Sequence, residues 1–125
     1  MRQFEISVEN KIGCLAKVTD ALSMGRVNLK AIATDNKEKG GVIKIVTDDE
    51  EVTRDILKEA GFVFREHEIV PVRLMDKPGE IAKVAKAMSN LNINIESVFL
   101  MDRDQGTAHF AFKVDDLKKA RELLK

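Results

Sequence analysis

Apolar residues change their spacing along the chain in an order that occurs twice. Residues 4–8 and residues 70–74 alternate apolar and polar side chains, which predicts a β-strand in each place. Each strand is followed by apolar residues at i, i+3 and i+7, which is typical of a helix with one buried face. These stripes comprise Leu15, Val18 and Leu22 in the first half and Ile81, Val84 and Met88 in the second. Each predicted helix therefore needs a sheet to cover.

Two further strands and a second helix are predicted in each half. Residues 26–34 and 92–100 are rich in β-branched residues, and each is followed by a polar connection and another alternating stretch, so a hairpin is expected. The second helix of the first half follows an aspartate pair, where Asp48 and Glu51 have the spacing of a capping box. Gly61 is expected to end that helix in a left-handed conformation. Each half is thus β-α-β-β-α.

The two halves are an internal repeat. One fixed shift aligns NKIGCLAKVTDAL, residues 10–22, with DKPGEIAKVAKAM, residues 76–88, and the best shift becomes one residue longer past the predicted hairpin. Because insertions are tolerated best in loop tips, we expect the extra residue there. Residues 62–68 predict a fourth strand that the second half lacks. The first strand of the second half should then be a sheet edge, where Pro71 is tolerable.

The predicted fold class is therefore α+β. The order β-α-β-β-α-β, with antiparallel sheets and helices on one face, is the ferredoxin-like pattern. We expect two such units in tandem, at residues 1–68 and 69–125, with the second lacking its last strand.

Composition narrows the classes of partner. Lys plus Arg equals Asp plus Glu at 21 each, so no basic field attracts nucleic acid or a membrane surface. The one cysteine, Cys14, excludes an intrachain disulfide and fits a reducing compartment. No apolar run approaches the roughly 18 to 20 residues that span a bilayer, and the alternating N-terminus is unlike a signal peptide. We expect a cytoplasmic protein.

The stretch DKPGEIAKVAKAMSNLNINIES in the second half closely resembles the ACT domain. The ACT signature is an Asp/Asn-x-x-Pro-Gly-x-Leu/Ile turn followed, after a helix, by a Gly/Asn-Ile-Asn-Ile strand. The first half departs from it, with Ile12 for the proline, Cys14 after the glycine, and Arg26-Val27 where the second half has Asn92-Ile93. The resemblance covers essentially the whole chain as a tandem pair. The chain is similar to the small stand-alone tandem-ACT proteins, which are relatives of the regulatory parts of acetolactate synthase and phosphoglycerate dehydrogenase.

The resemblance implies a regulatory module that binds a small ligand, usually an amino acid, at the interface between two paired ACT units. A turn at Gly13 or Gly79 lets the backbone approach a ligand, and the N–H groups of residues 13–15 and 79–81 can hold a carboxylate. Asparagine or aspartate oxygens could accept from an ammonium group. The candidate ligand-binding residues are Asn10, Ile12, Gly13, Cys14, Leu15, Asn28, Asp76, Pro78, Gly79, Glu80, Ile81 and Asn94. Whether one or both halves bind stays open.

Structural explanations compete at the same positions. The two glycines could serve only the geometry of the helix start, with Pro78 as a good first helical residue, and Asn28 and Asn94 could be turn formers. Cys14 is more often a small buried hydrophobe than a reactive thiol. His67 lies between two glutamates that would point to the opposite face of its strand, so we expect no metal site there.

Three classes of function remain at this point. The sensor competes with a ligand-free subunit that docks onto a metabolic enzyme, and with an RNA-binding module of the same strand order. RNA binding is disfavoured because Phe110 and Phe112 alternate in phase with the predicted core. No catalytic set, phosphate loop or cofactor motif is present in the sequence, so no enzymatic activity and no cofactor are expected. The missing strand and the small core favour a homodimer.

Overall fold

A computed structural model describes residues 1–124 of the chain. Its elements, in chain order, are β1 Arg2–Val8, α1 Cys14–Met24, β2 Leu29–Lys37, β3 Gly40–Thr47, α2 Glu50–Glu59, β4 Val63–Glu68, β5 Val70–Met75, α3 Glu80–Asn90, β6 Ile95–Asp104, β7 Thr107–Val114 and α4 Leu117–Leu123. The α+β fold class and its repeated ferredoxin-like order are confirmed. No helix among these residues is long and apolar enough to cross a membrane.

The chain divides into two compact units. The N-terminal unit is Arg2–His67, and the C-terminal unit is Glu68–Lys125 together with Met1. Lys125 itself lies outside the described residues. The domain limits expected from the repeat, 1–68 and 69–125, stay a prediction.

The N-terminal unit has a four-stranded sheet in the order β2-β3-β1-β4, so β2 is an edge strand. Both β1 and β2 run antiparallel to β3. The core lies between this sheet and the helices α1 and α2, which contact one another. Its fully buried members include Phe4, Ile6, Val18, Leu22, Ile43, Ile45 and Leu57. The alternation of β1 and β3 thus places one face of each strand in the core, as predicted.

The C-terminal unit has a three-stranded sheet in the order β5-β7-β6. As predicted, β5 is an edge strand, and its exposed Pro71 lies opposite Ala111 of β7. Phe112 is buried in the core of this unit, and Phe110 packs against that core. Both phenylalanines therefore serve the core, which agrees with the argument against base stacking.

The extra residue of the second half is not in a loop tip, so that prediction is wrong. Both hairpins have two-residue connections, between Lys37 and Gly40 and between Asp104 and Thr107. Strand β6 instead has a second bulge, between Leu100 and Asp102, beyond the one that it shares with β2. A bulge absorbs one residue while the pairing on either side is kept.

The second strand of each half also begins later than predicted. Strand β2 begins at Leu29 and β6 at Ile95, three residues after the predicted starts at Arg26 and Asn92. Arg26 and Asn92 have φ angles of 59° and 61°, in the left-handed region, so they form a turn between helix and strand.

The expected capping box at Asp48 is wrong by one residue. Asp49 is the N-cap of α2, and its Oδ1 accepts a hydrogen bond from the Val52 amide at 3.1 Å. Asp48 has another task, because its Oδ1 accepts from the Asn28 amide at 3.0 Å. Gly61 follows the helix with φ 77°, so the predicted left-handed cap is confirmed.

The apolar stripes of α1 and α3 are only partly buried. Val18, Leu22 and Met88 are buried in the two cores. The first residue of each stripe is not, since Leu15 is 41% exposed and Ile81 is 38% exposed. Each unit therefore leaves an apolar side chain open at the start of its first helix.

Candidate functional site

The repeated glycine turns are open in both units. Gly13 and Gly79 have φ angles of 93° and 90°, and a Cβ placed on either would meet no atom within 4 Å. These conformations favour glycine over any residue with a side chain. The glycine turn of each unit is therefore accessible to a ligand.

The helices that start at these turns lack a side-chain cap. Neither α1 after Gly13 nor α3 after Gly79 has a capping hydrogen bond from a side chain, whereas α2 and α4 are capped by Asp49 and Asp116. The first amides of a helix point outward with the positive end of its dipole. An uncapped, exposed start can take a carboxylate in place of a cap.

Charged side chains surround each turn. At the C-terminal unit, Arg103 Nε lies 3.0 Å from Asp76 Oδ2, so the aspartate predicted to accept from an ammonium already has a cationic partner. Lys83 Nζ lies 2.9 Å from Glu80 Oε2, and this hydrogen bond holds the pKa of Glu80 below its usual range. Pro78 is exposed beside Gly79.

At the N-terminal unit the strand exit carries an amide instead of a carboxylate. Asn10 Nδ2 donates to the Lys37 carbonyl at 2.9 Å, which leaves its Oδ1 as an acceptor. Lys11 Nζ lies 3.0 Å from Glu9 Oε2, and their hydrogen bond lowers the pKa of Glu9 and raises the pKa of Lys11. Ile12 is fully exposed at this turn, while Cys14 is half-buried rather than fully buried.

Asn28 and Asn94 occupy equivalent positions before β2 and β6. The main chain of each is held by an aspartate, since Asp48 and Asp115 accept from their amides at 3.0 and 2.9 Å and donate back to their carbonyls. Within residues 1–124 neither asparagine side chain forms a hydrogen bond. Both side chains are therefore available to a ligand.

Within one unit the glycine turn and the asparagine lie at opposite ends. Helix α1 separates Gly13 from Asn28, and its 11 residues span about 16 Å. The contact between Asn10 and Lys37 places the glycine turn beside the end of β2, whereas Asn28 precedes its start. A single unit therefore does not bring its glycine turn and its asparagine together in one site.

The sequence did not predict a surface depression that lies beside the asparagine in each unit. In the N-terminal unit, Thr19, Ser23, Arg26 and Asn28 line a surface depression between the end of α1 and the start of β2. The C-terminal unit has an equivalent depression, lined by Ser89, Asn92, Ile93, Asn94 and Asp115. The sequence signal for these depressions was the difference between Arg26 and Asn92, which align in the repeat.

The remaining candidates are single contacts rather than clusters. His67 Nε2 lies 3.6 Å from Glu5 Oε2, and His109 Nδ1 lies 2.7 Å from Asp102 Oδ1. In the described part of the chain, no group of three or more His, Cys, Asp or Glu side chains is placed to hold a metal ion.

A family model described as an ACT domain pair matches residues 1–125. The chain belongs to the ACT domain pair family. This membership supports a regulatory, ligand-binding role for this ACT domain pair. No functionally curated protein matches its sequence.

Solved structures share the fold of this ACT domain pair. Protein BT0572 from Bacteroides thetaiotaomicron aligns with a TM-score of 0.90 at 25% identity, over 98% of this chain and 85% of that one. The ligand-free regulatory subunit of aspartate kinase from Thermus thermophilus aligns with a TM-score of 0.73 at 16% identity, over 98% and 87%. The corresponding subunit from Thermus flavus gives 0.64 at 18% identity, over 98% and 87%.

Proposed function

We propose that this ACT domain pair senses a free amino acid, which binds at the glycine turns between paired ACT units. The observation that carries the proposal is the open and uncapped helix start after Gly13 and Gly79. The outward amides of that start bind the α-carboxylate. Asparagine and aspartate oxygens accept from the ammonium group.

The site is completed by a second ACT unit. Strands β2 and β6 are edge strands of their sheets, and an edge strand can pair with the edge of another copy. In an antiparallel pair the partner strand runs in the opposite direction. The start of the partner strand therefore lies beside the end of β2, which is next to the glycine turn. The asparagine before the partner strand, Asn28 or Asn94, then faces the turn.

Exposed apolar side chains on the helix-covered side of these edges support this arrangement. In the N-terminal unit they are Leu15 and Ile32, and in the C-terminal unit they are Ile81, Val98 and Leu100. Pairing between copies would bury these side chains and stabilise a homodimer. It would also close the apolar part of the ligand site over the first helical turn.

The sensor would act on an enzyme of amino-acid metabolism in the cytoplasm. Regulatory subunits of aspartate kinase share this fold, and the single cysteine suits a reducing compartment. The chain contains a regulatory module, so we infer that catalysis resides in its partner.

A thermal-shift screen with the twenty amino acids tests the proposal. Ligand at a hundredfold excess over its dissociation constant stabilises the folded state by about 2.7 kcal/mol, which raises the melting temperature measurably. We expect one amino acid, or a small group of similar ones, to raise it. A uniform lack of response would favour the docking-subunit alternative.

The variant Gly79→Asn locates the site in the C-terminal unit. Asparagine tolerates a positive φ, so the fold is kept while a side chain enters the space that the ligand needs. We expect a loss of ligand affinity of tenfold or more, about 1.4 kcal/mol, measured by calorimetry.

Gly61→Asn is the matched control. Gly61 has φ 77° and, like Gly79, open space around an added Cβ, but it follows α2 rather than preceding a first helix. Its variant should bind as the unmodified protein does. If Gly79→Asn and Gly13→Asn both keep full affinity, the ligand does not bind at the glycine turns.

A further inference from the structure

The two depressions before β2 and β6 are equivalent in position but differ by one cation. Arg26 is one of the residues that line the N-terminal depression, and the Asp48 carboxylate accepts from the amide of Asn28, another lining residue. The C-terminal depression has Asn92 in place of Arg26 and no lysine or arginine among its lining residues, and the Asp115 carboxylate accepts from the Asn94 amide. Lys119 in the C-terminal unit reaches the Leu91 carbonyl at 3.5 Å and pairs with Asp116, so it is engaged elsewhere.

Arg26 is an exposed cation that forms no ion pair within residues 1–124. The nearby Asp48 uses one carboxylate oxygen to hold the Asn28 amide, at 3.0 Å. Ser23 and Asn28 also line the depression, and the Asn28 side chain forms no hydrogen bond within residues 1–124. These groups offer several donors to one anion.

The backbone at this position favours a different residue. Arg26 has φ 59°, in the left-handed region, where asparagine is several-fold enriched and arginine is not. The equivalent residue of the other unit, with φ 61°, is Asn92. Arginine therefore occupies a position where the local backbone gives it no advantage over asparagine, so its presence there calls for an explanation in its side chain.

We propose that the Arg26 depression binds a carboxylate, so that the N-terminal unit selects a ligand with an acidic side chain. The ligand class is a dicarboxylic amino acid, and its assignment as an amino acid rests on the proposed function. Its α-carboxylate would occupy the glycine turn of the paired unit, and its side-chain carboxylate would meet Arg26, Ser23 and Asn28. The uncharged Asn92 gives the C-terminal depression no such preference.

The test compares acidic ligands with their amides on the full chain. Calorimetry measures the affinity for L-aspartate, L-glutamate, L-asparagine and L-glutamine, and for succinate, which has no ammonium group. Side-chain amide signals of Asn28 and Asn94 in ¹H–¹⁵N NMR spectra report which depression is occupied. We expect an acidic amino acid to bind about tenfold more tightly than its amide and to shift the Asn28 signals.

Arg26→Asn places the residue of the second unit at the equivalent position and suits the left-handed backbone. We expect it to remove the preference for acidic ligands, whereas Arg26→Lys should keep part of it because the charge is retained. Thermal unfolding of each variant without ligand checks that the fold is intact.

The outcomes separate this proposal from the proposed function. If amides bind as tightly as acids, or if Arg26→Asn keeps the preference, the carboxylate pocket is wrong while the sensor stands. If succinate binds at Asn28 as tightly as the acidic amino acids and depends on Arg26, the pocket is right and amino-acid sensing is wrong. If no probe shifts the Asn28 signals, the carboxylate pocket is wrong.

Discussion

Arg54 of α2 and Glu66 of β4 form a two-pronged ion pair in the N-terminal unit. The Nε and Nη2 atoms of Arg54 each lie 2.7 Å from a carboxylate oxygen of Glu66. Hydrogen bonding to Arg54 holds the pKa of Glu66 below its usual range. A lowered pKa in the folded protein means that ionised Glu66 stabilises the fold.

This pair predicts a specific pH dependence of stability. The stabilisation of the fold by ionised Glu66 is complete above the pKa of the unfolded chain, about 4.3. It is lost as the pH falls through the lower pKa of the folded protein. Glu66→Gln should reduce the free energy of unfolding by only about 0.5 kcal/mol at pH 7, because a partly solvated pair is screened. Urea denaturation between pH 7 and pH 3 should show the difference from the unmodified protein shrinking with acidity.

Glu59→Gln is the control for this prediction. Glu59 is exposed at the end of α2 and has no ion pair in the described structure. Its variant should match the unmodified protein across the range. A difference for Glu66→Gln that persists unchanged at pH 3 would contradict the electrostatic explanation.

The conformation of single residues in the candidate site was predictable where the repeat singled them out. Gly13 and Gly79 align, and both adopt the positive φ that only glycine adopts readily. The left-handed conformation of Arg26 was not predictable from residue type, because it depends on how the chain turns between α1 and β2. Leu15 fits the apolar stripe yet is exposed, since a helical stripe does not reveal where the covering sheet ends.

At the scale of elements, helix starts divide into two kinds. The second helix of each unit is capped by an aspartate, Asp49 or Asp116, whose Oδ1 accepts from an amide at 3.1 Å. The first helix of each unit begins at a glycine without such a cap. The second helix of each unit thus has a side-chain acceptor for a first-turn amide, whereas the first helix has none.

Removal of the Asp49 cap should destabilise the N-terminal unit. Asp49→Ala leaves the Val52 amide without its acceptor, and an N-cap loss of this kind costs about 1 kcal/mol. Asp49→Asn retains an acceptor oxygen and should lose much less. Guanidinium denaturation of both variants measures the difference, and equal losses would show that the cap does not act through its hydrogen bond.

Element order was predictable because apolar spacing changes at every boundary, but details of the strands were not. The bulge between Leu100 and Asp102 absorbs an extra residue that sequence alignment could only place somewhere in the hairpin. Strand starts at Leu29 and Ile95 were predicted too early because the preceding turns contain residues with strand propensity.

At the scale of the whole molecule, the two hydrophobic cores share no residue. Leu57 is fully buried in the N-terminal core and Met88 in the C-terminal core, so they form a matched pair of sites. Leu57→Ala and Met88→Ala should each cost about 2–5 kcal/mol. Hydrogen exchange by mass spectrometry should show lost protection mainly in the unit that carries the substitution, and uniform loss would contradict this.

The proposed homodimer can be tested at its edges. Light scattering should give about twice the 14.0 kDa mass of one chain. Lysine on an edge strand opposes pairing with another strand, so Ile32→Lys on β2 and Val98→Lys on β6 should shift the protein towards the monomer. Val52→Lys, on α2, should leave the mass unchanged. A constant 14.0 kDa for the unmodified protein at every concentration would exclude the dimer.

Cys14 gives the molecule a natural chemical label. It is the one thiol in the chain, it is half-buried, and it begins the helix after Gly13. Alkylation by a small maleimide adds one fixed mass at one of the two glycine turns and leaves the other untouched. A metabolite that slows this reaction occupies the N-terminal turn, whereas one that binds without slowing it binds elsewhere, so whole-protein mass spectrometry could distinguish the twin sites without any substitution.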